Sequence, residues 1–348
     1  MSELIDLKSL TLDELKNMLA DWGEKPFRAG QIYDWIHKKL ARSFDEMTNL
    51  SVALREKLAE NCELTTLTAE RLQESKLDGT KKALFALPDH NMVESVWMKY
   101  EHGNSVCISS QVGCAMGCRF CASTIGGKVR DLTPAEMLDQ IYALTRMNGE
   151  RVSNVVVMGT GEPLDNYDNV LRFIHMLTDE KGLNISQRNI TVSTCGIVPN
   201  IRRLAEEKLQ ITLALSLHAA TDEKRREIMP IANKYTIAQL MDACRYYHDE
   251  TGRRITFEYS LIAGVNDRPE DAKNLAALAG PLNSHINLIP VNPVRERTFV
   301  QPDHRAVLAF KNKLEKYHIN VTIRRELGRD IDGACGQLRR SYKLENET

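Results

Sequence analysis

Apolar positions recur three and four apart through the first sixty residues, alternate with polar ones between Leu67 and Tyr100, and then gather into short β-branched runs separated by amphipathic stretches. The first pattern predicts helices. Thr11 and Glu14 make a capping box ahead of Leu15, Met18 and Leu19, and Pro26 opens a second helix with Phe27, Trp35, Ile36 and Leu40 on its apolar side. A third helix follows Ser51, with Leu54 and Leu58 as its contacts. Between residues 67 and 100 the alternation predicts short strands, punctuated by Asp78-Gly79 and His90-Asn91. Residues 1–100, helical over 1–62 and stranded over 67–100, are therefore expected to form an accessory region.

From Ser105 onward the runs are Val106 to Ser109, Asn154 to Met158, Asn189 to Val192, Thr212 to Leu217, Ile255 to Leu261 and Ile286 to Pro290. Helix-like sequence follows each, as over Thr133 to Met147, where Thr133, Pro134 and Glu136 give a strong start signal. Such βα alternation predicts a parallel sheet in an α/β fold, because each crossover helix must pack back over the strands. A doubly wound sheet and an incomplete barrel both fit. Glycine and polar residues just past the strand ends, at Gly159 to Glu162, Ser193, Ser216 to His218 and Asn292, favour a partial (β/α)6 TIM-like barrel with its chemistry on one rim. Residues 101–335 would form this core and 336–348 a tail.

The length of 348 residues agrees with a large domain plus a smaller one. No apolar run reaches the roughly 18 residues that a membrane-spanning helix needs, and Met1 to Leu19 lacks the basic-then-apolar order of a signal peptide. A soluble, unprocessed, cytoplasmic protein is expected, without membrane contact and monomeric. The net charge of −1 excludes no class of partner, since local basic stretches suffice for nucleic acid. Two are present: Lys25 to Arg42 carries five Lys/Arg against Asp34 alone, and Arg324 to Lys343 carries six against three acids. Each is equally readable as a solvated helix face.

Eight cysteines are too few to staple a chain of this length, so metal binding or catalysis is the better expectation. Three of them, Cys114, Cys118 and Cys121, fall within eight residues in the loop after the first barrel strand. Three thiolates can hold three irons of a cubane and leave the fourth open to a small ligand. A structural zinc site wants four protein ligands and would have to recruit His102 or Cys107. The spacing favours the cluster.

The sequence Cys114-Ala-Met-Gly-Cys118-Arg-Phe-Cys121, read as Cys-x3-Cys-x-aromatic-Cys after a first strand, resembles the radical S-adenosylmethionine (SAM) superfamily. The likeness extends to Met158-Gly-Thr-Gly-Glu162-Pro163, Ser193-Thr194, Ser216-Leu-His218, Asn292-Pro293 and Asp330-Ile-Asp-Gly-Ala-Cys335-Gly-Gln-Leu338. Together these are similar to one branch, the RlmN family of dual-specificity adenine-C2 methyltransferases, over essentially the whole chain. The resemblance implies one [4Fe-4S] cluster on Cys114, Cys118 and Cys121. It implies SAM, two per turnover, held by Gly161, Glu162, Ser193, Ser216, Leu217, His218 and Asn292. Its substrates would be an adenosine of the peptidyl-transferase region of 23S rRNA and the adenosine 3' of certain tRNA anticodons, with an electron donor for the cluster as a further partner. The accessory region would bind RNA, with Lys38 and Lys39 on phosphate.

Adenine C2 is electron-poor and does not attack a methyl sulfonium as a nitrogen would. The resemblance implies that Cys335 first becomes S-methylcysteine, and that a SAM-derived radical then abstracts hydrogen from this methyl so that the resulting methylene adds to C2. Glu94 would accept the C2 proton, and Cys107 would attack Cys335 sulfur to release the RNA and leave a disulfide. Read without the family, Glu94 equally fits the exposed face of a strand, and Cys107 and Cys335 fit small core residues. Two rival readings remain at this point: the sister activity at adenine C8, which uses the same cysteines, and a zinc-stabilised RNA-binding protein without catalysis. Cys62, Cys195 and Cys244 are expected to be structural.

Overall fold

The structure, a computed structural model, describes residues 4–346; the ends of the accessory region and tail expected above, residues 1–3 and 347–348, lie outside the described residues. A short parallel pair, β1 (Ile5–Asp6) and β2 (Cys62–Glu63), brackets helices α1 (Leu12–Asp21), α2 (Phe27–His37) and α3 (Val52–Asn61). The expected capping box exists in both directions: Glu14 N–H donates to Thr11 Oγ1 at 3.3 Å and Thr11 N–H to Glu14 Oε2 at 2.8 Å. The apolar faces of these helices, including Leu15, Leu19, Ile32, Ile36, Leu54 and Leu58, close a small core of their own.

The remaining strands are β3 (Thr68–Glu74), β4 (Lys81–Ala86), β5 (Met92–Tyr100), β6 (Gly103–Cys107), the hairpin β7 (Gln111–Gly113) and β8 (Lys128–Asp131), then β9 (Val152–Val157), β10 (Ile190–Thr194), β11 (Thr212–Ser216), β12 (Ile255–Leu261), β13 (Ser284–Pro290) and β14 (Val321–Ile323). Helices α4 (Pro134–Asn148), α5 (Tyr167–Thr178), α6 (Val198–Glu206), α7 (Asp222–Ile228), α8 (Ile237–Thr251), α9 (Pro269–Ala279) and α10 (His304–Lys316) separate the later strands, and α11 (Gln337–Asn346) closes the chain. One ten-stranded sheet has the order β14-β13-β12-β11-β10-β9-β6-β5-β4-β3. Its strands β6 and β9 to β14 are parallel, while β3 to β6 pair antiparallel. The parallel part is the expected open barrel, extended at one edge by β14 and at the other by the antiparallel strands.

Two boundaries differ from expectation. The division at Tyr100 cuts through the sheet: Leu67, Phe85, Val93 and Trp97 share a core with barrel residues such as Val155 and Leu213. Packing divides instead between Cys62 and Leu67, because strands with an inward apolar face bury it only by joining the larger sheet. The tail is no loose end either, for Gln337–Asn346 is helical and Leu338 is fully buried. Among the described residues no helix is long and apolar enough to cross a membrane.

The helical unit is latched to the barrel by buried polar contacts. Lys8 Nζ pairs with Asp139 Oδ1 at 2.8 Å and also donates to the carbonyl of Thr65, while Asp139 Oδ2 accepts from Leu67 N–H at 2.8 Å. Tyr33 donates to Asp179 and His37 Nδ1 meets Tyr142 Oη at 2.7 Å.

Candidate active site

All strands of a parallel sheet end on the same rim, so the residues just past them converge. Three cavities follow one another along that rim. The innermost, about 140 Å³, is lined by Cys114, Cys118, Cys121, Gly161, Glu162, Ser193, Ser216 and His218 among others. The next, about 200 Å³, shares Ser193, Ser216, His218 and Cys121 with it and adds Asn292, Glu258, Arg324 and Cys335. The outermost, about 230 Å³, shares Asn292, Arg324 and Cys335 and adds Arg325 and Arg329. A continuous path therefore leads from the three cysteines past Cys335 to an arginine-lined mouth.

Every expected SAM-binding residue except Leu217 lines this path. Leu217 is buried, and it contributes backbone only: its N–H donates to Glu258 carbonyl oxygen at 3.1 Å and its carbonyl accepts from Arg225 Nε. The turn after β9 depends on Gly161, whose φ of +114° is left-handed and where a Cβ would stand 2.7 Å from the Gln111 side chain. That close approach lets the following Glu162 enter the wall, where its carboxylate accepts from Leu164 N–H at 3.0 Å and Cys195 N–H at 2.7 Å. Burial pushes its pKa up against those bonds. His218 also adopts a left-handed φ of +56°. Its Nδ1 accepts from Ser260 N–H at 2.9 Å, which assigns the ring proton to Nε2, and burial lowers its pKa to about 3. The ring is thus a neutral donor, with Phe120 packed edge-on at 4.9 Å.

The cysteine loop fits a cubane better than a single ion. Cys114, Cys118 and Cys121 share one cavity wall, yet among the described residues no three His, Cys, Asp or Glu side chains converge on a point that would hold one metal ion. Neither candidate for a fourth zinc ligand lines that cavity. His102 stacks on Tyr100 at the start of β6, the opposite end of that strand from the site, and Cys107 is engaged elsewhere. Cys195, expected to be structural, does line the cavity, with its thiol hydrogen-bonded to Glu162. Burial pushes the Cys114 thiol up to about 12 and raises Cys118 and Cys121 as well, so binding iron must displace their protons.

Cys107 and Cys335, distant in sequence, are hydrogen-bonded partners at the end of β6. Their tight coupling splits the two thiols. The bond from Cys107 lowers the pKa of Cys335 against the cost of burial, helped by Lys82 and Arg324, and Cys107 is raised in return. Cys335 as thiolate accepts from Cys107; as thiol it donates to the Met158 carbonyl at 3.3 Å. Glu94 is buried and not on an exposed strand face. Its oxygens accept from Gly336 N–H at 2.7 Å and Arg339 N–H at 2.5 Å, one and four residues beyond Cys335. It lines none of the three cavities.

Glu258 and Arg324 belong to the path and carried no sequence signal. Glu258 lies in a fully buried strand that reads as core, and Arg324 sits in the basic run that reads as solvated. Two further elements, the three-residue β14 and the hairpin of β7 and β8 around the cysteine loop, are too short for alternation to reveal.

The comparisons agree with this geometry. Residues 5–64 match the family described as the ribosomal RNA large subunit methyltransferase N-terminal domain, and residues 108–276 match the radical SAM superfamily. A probable dual-specificity RNA methyltransferase RlmN of Lachnospira eligens is 67% identical across 97% of both chains. One of the same name from Lachnoclostridium phytofermentans is 60% identical across 98% of this chain and 96% of its own. The crystal structure of a radical SAM methyltransferase from Sphaerobacter thermophilus superposes with a TM-score of 0.92 at 44% identity, covering 96% of this chain and 98% of that one. With three cysteines on a barrel rim, a second thiol pair beside them and likeness at this level over nearly its full length, the chain belongs to the RlmN family of radical SAM RNA methyltransferases.

Proposed function

We propose that the chain methylates C2 of adenosine in 23S rRNA and in tRNA, with Cys335 carrying the methyl group and Cys107 releasing the product. The observation that carries this reading is the contact of those two thiols on the path that begins at Cys114, Cys118 and Cys121. A cluster held by these three cysteines supplies, when bound, the electron that cleaves SAM to a carbon radical. Gly161, Glu162, Ser193, Ser216, His218 and Asn292 hold SAM along the inner two cavities, with His218 Nε2–H as a neutral donor and the Leu217 backbone behind them.

Cys335, the more acidic thiol of the pair, takes the first methyl by displacement and becomes the thioether from which hydrogen is abstracted. Its carbon forms the bond to adenine. Glu94 accepts the C2 proton, which requires it to give up the Gly336 or Arg339 N–H that it now binds. The electron left over when C2 loses its proton returns to the donor side that supplied it. Attack by Cys107 sulfur on Cys335 sulfur then breaks the sulfur–carbon bond, the released methylene keeps the bonding pair and takes a proton to become the methyl group, and an external thiol reduces the resulting disulfide. An unstacked adenosine enters through the mouth at Arg324, Arg325 and Arg329, as loops and single-stranded regions permit at a cost of a few kcal/mol. The enzyme works as a cytoplasmic monomer fed by a cellular electron donor.

Mass spectrometry of nucleosides from 23S rRNA and tRNA, digested after reaction with the reduced enzyme and SAM, tests the reading. 2-Methyladenosine in both RNA classes is the expected product. 8-Methyladenosine would move the chain to the sister activity, and absence of 5'-deoxyadenosine would remove the radical mechanism.

A further inference from the structure

Lys82 lies on β4, one strand beyond the strand of Glu94, and its side chain has no exposed surface. An ammonium has three protons to place. Here they have three partners: the carbonyl oxygens of Asp332 at 2.7 Å and Ala334 at 2.6 Å, and Glu94 Oε2 at 3.0 Å. Ala334 immediately precedes Cys335, and Glu94 in turn holds the N–H groups of Gly336 and Arg339. The cysteine is therefore gripped from both sides by one buried ion pair.

The opposite face of the segment is equally constrained. At Gly336, where φ is +79°, a Cβ would stand 2.8 Å from Ser123 N, so the chain passes against the loop that carries Cys121. Upstream, Gln73 exchanges two hydrogen bonds with Asp332, and Ser75 and Asp78 hold Asp330 and Gly328. All of these upstream anchors come from the antiparallel extension, not from the barrel. A buried ion pair is in general a weak source of stability, and an apolar pair of equal volume would pack as well. What an apolar pair lacks is purchase on the two carbonyls and two N–H groups around Cys335.

We propose that Lys82 is a positioning residue for the reaction: through Glu94 and the carbonyls of Asp332 and Ala334 it fixes the segment that presents Cys335 to the methyl donor and to Cys107. The inference rests on the reading of Cys335 as methyl carrier. Lys82 lines none of the three cavities, and because its charge also favours the Cys335 thiolate, Lys82→Arg, which keeps that charge, separates placement from electrostatics. Displacing a reacting group by about one ångström costs on the order of 100-fold in rate.

The test uses the full-length holoenzyme, with SAM labelled in its methyl group, for wild type, Lys82→Met and Lys82→Arg. Three quantities are read: the rate at which the Cys335 peptide gains the label, the KM for SAM, and amide hydrogen exchange at Gly336 and Arg339. Lys82→Met is expected to keep its cluster iron and its KM, to lose about 100-fold in methyl loading, and to exchange both amides faster. Lys82→Arg, which keeps the charge but not the reach, should fall between the two. Labelling of Cys335 at the wild-type rate in folded Lys82→Met overturns the proposal, as does a loss that merely tracks missing cluster. Should Lys82→Met fail to fold, wild-type labelling in Lys82→Arg overturns it equally. A wild-type enzyme that never labels Cys335 instead overturns the methyl-carrier reading.

Discussion

Two buried lysine–carboxylate pairs do different work with the same chemistry. Lys8 and Asp139, both without exposed surface, tie the helical unit and the chain around Thr65 to Leu67 onto α4. Lys82 and Glu94 tie the segment around Cys335 to the antiparallel strands. The first pair joins two separately packed cores, while the second holds a short polar segment that has little core to hold it. Burial of a charge pair is thus used where apolar packing runs out, between domains in one case and beside Cys335 in the other.

The comparison is broken most severely at the cluster. Replacing Cys114, Cys118 or Cys121 by Ala should abolish 5'-deoxyadenosine formation and the visible charge-transfer absorption of the reconstituted protein, while both lysine pairs stay intact. Radical production that survives in such a variant contradicts the assignment. Next in size is Lys8→Met, which leaves Asp139 buried with Arg146 at 3.4 Å as its remaining cation and the Leu67 N–H as its remaining close donor. A loss of about 3 kcal/mol in urea unfolding is expected, at the low end for a broken buried pair because of that arginine. Per folded molecule, methyl loading of Cys335 should not change, in contrast to Lys82→Met.

Smaller effects sharpen the contrast between the helical unit and the rim. His37, at the end of α2 against Tyr142, and His218, on the rim, are both buried and held near pKa 3 by desolvation. The unfolded chain binds these protons near pH 6.5, so stability is complete above that value and falls as the pH drops toward 3. At pH 5 each histidine should account for up to about 2 kcal/mol of that fall. The urea midpoint of His37→Phe should therefore depend less on pH between 7 and 5 than that of wild type; an equal dependence excludes the buried neutral ring. Smallest is charge reversal at Lys38 and Lys39. Lys39 is already engaged by Asp34 at 3.4 Å and by the Trp35 ring at 3.8 Å, and Lys38 shares a groove with Arg146 and Arg151 at the starts of the strands, away from the mouth. The salt slope of RNA binding should flatten by about one to two counterions with SAM cleavage unchanged; an unaltered slope marks that helix as a solvated face.

Local rules made much of this legible. The capping boxes at Thr11 and Thr133, six of the seven parallel strands and the cysteine spacing all follow from periodicity and short-range chemistry, and each strand end lies within three residues of its expected place. The resemblance supplied the residues of the rim, which the strand ends then bring together. Long-range pairings were not legible. Nothing in the Lys81-Lys82 stretch tells that one lysine faces solvent and the next is wholly buried against a loop 250 residues away, because strand alternation gives the face and not what covers it. The same limit hid Arg324, and it placed Glu94 equally well on a surface.

The account turns on Cys107 and Cys335 acting as a pair, and trapping the RNA adduct tests that most directly. Cys107→Ala, given reduced cluster, SAM and labelled substrate RNA, should still load the methyl and form the carbon–carbon bond but fail to release it. A denaturing gel is then expected to show a stable RNA–protein band in Cys107→Ala that is absent from the Cys107→Ala/Cys335→Ala double variant. Free methylated RNA produced by Cys107→Ala at near-normal turnover would contradict the account, and would leave Cys107 as a small buried residue of β6.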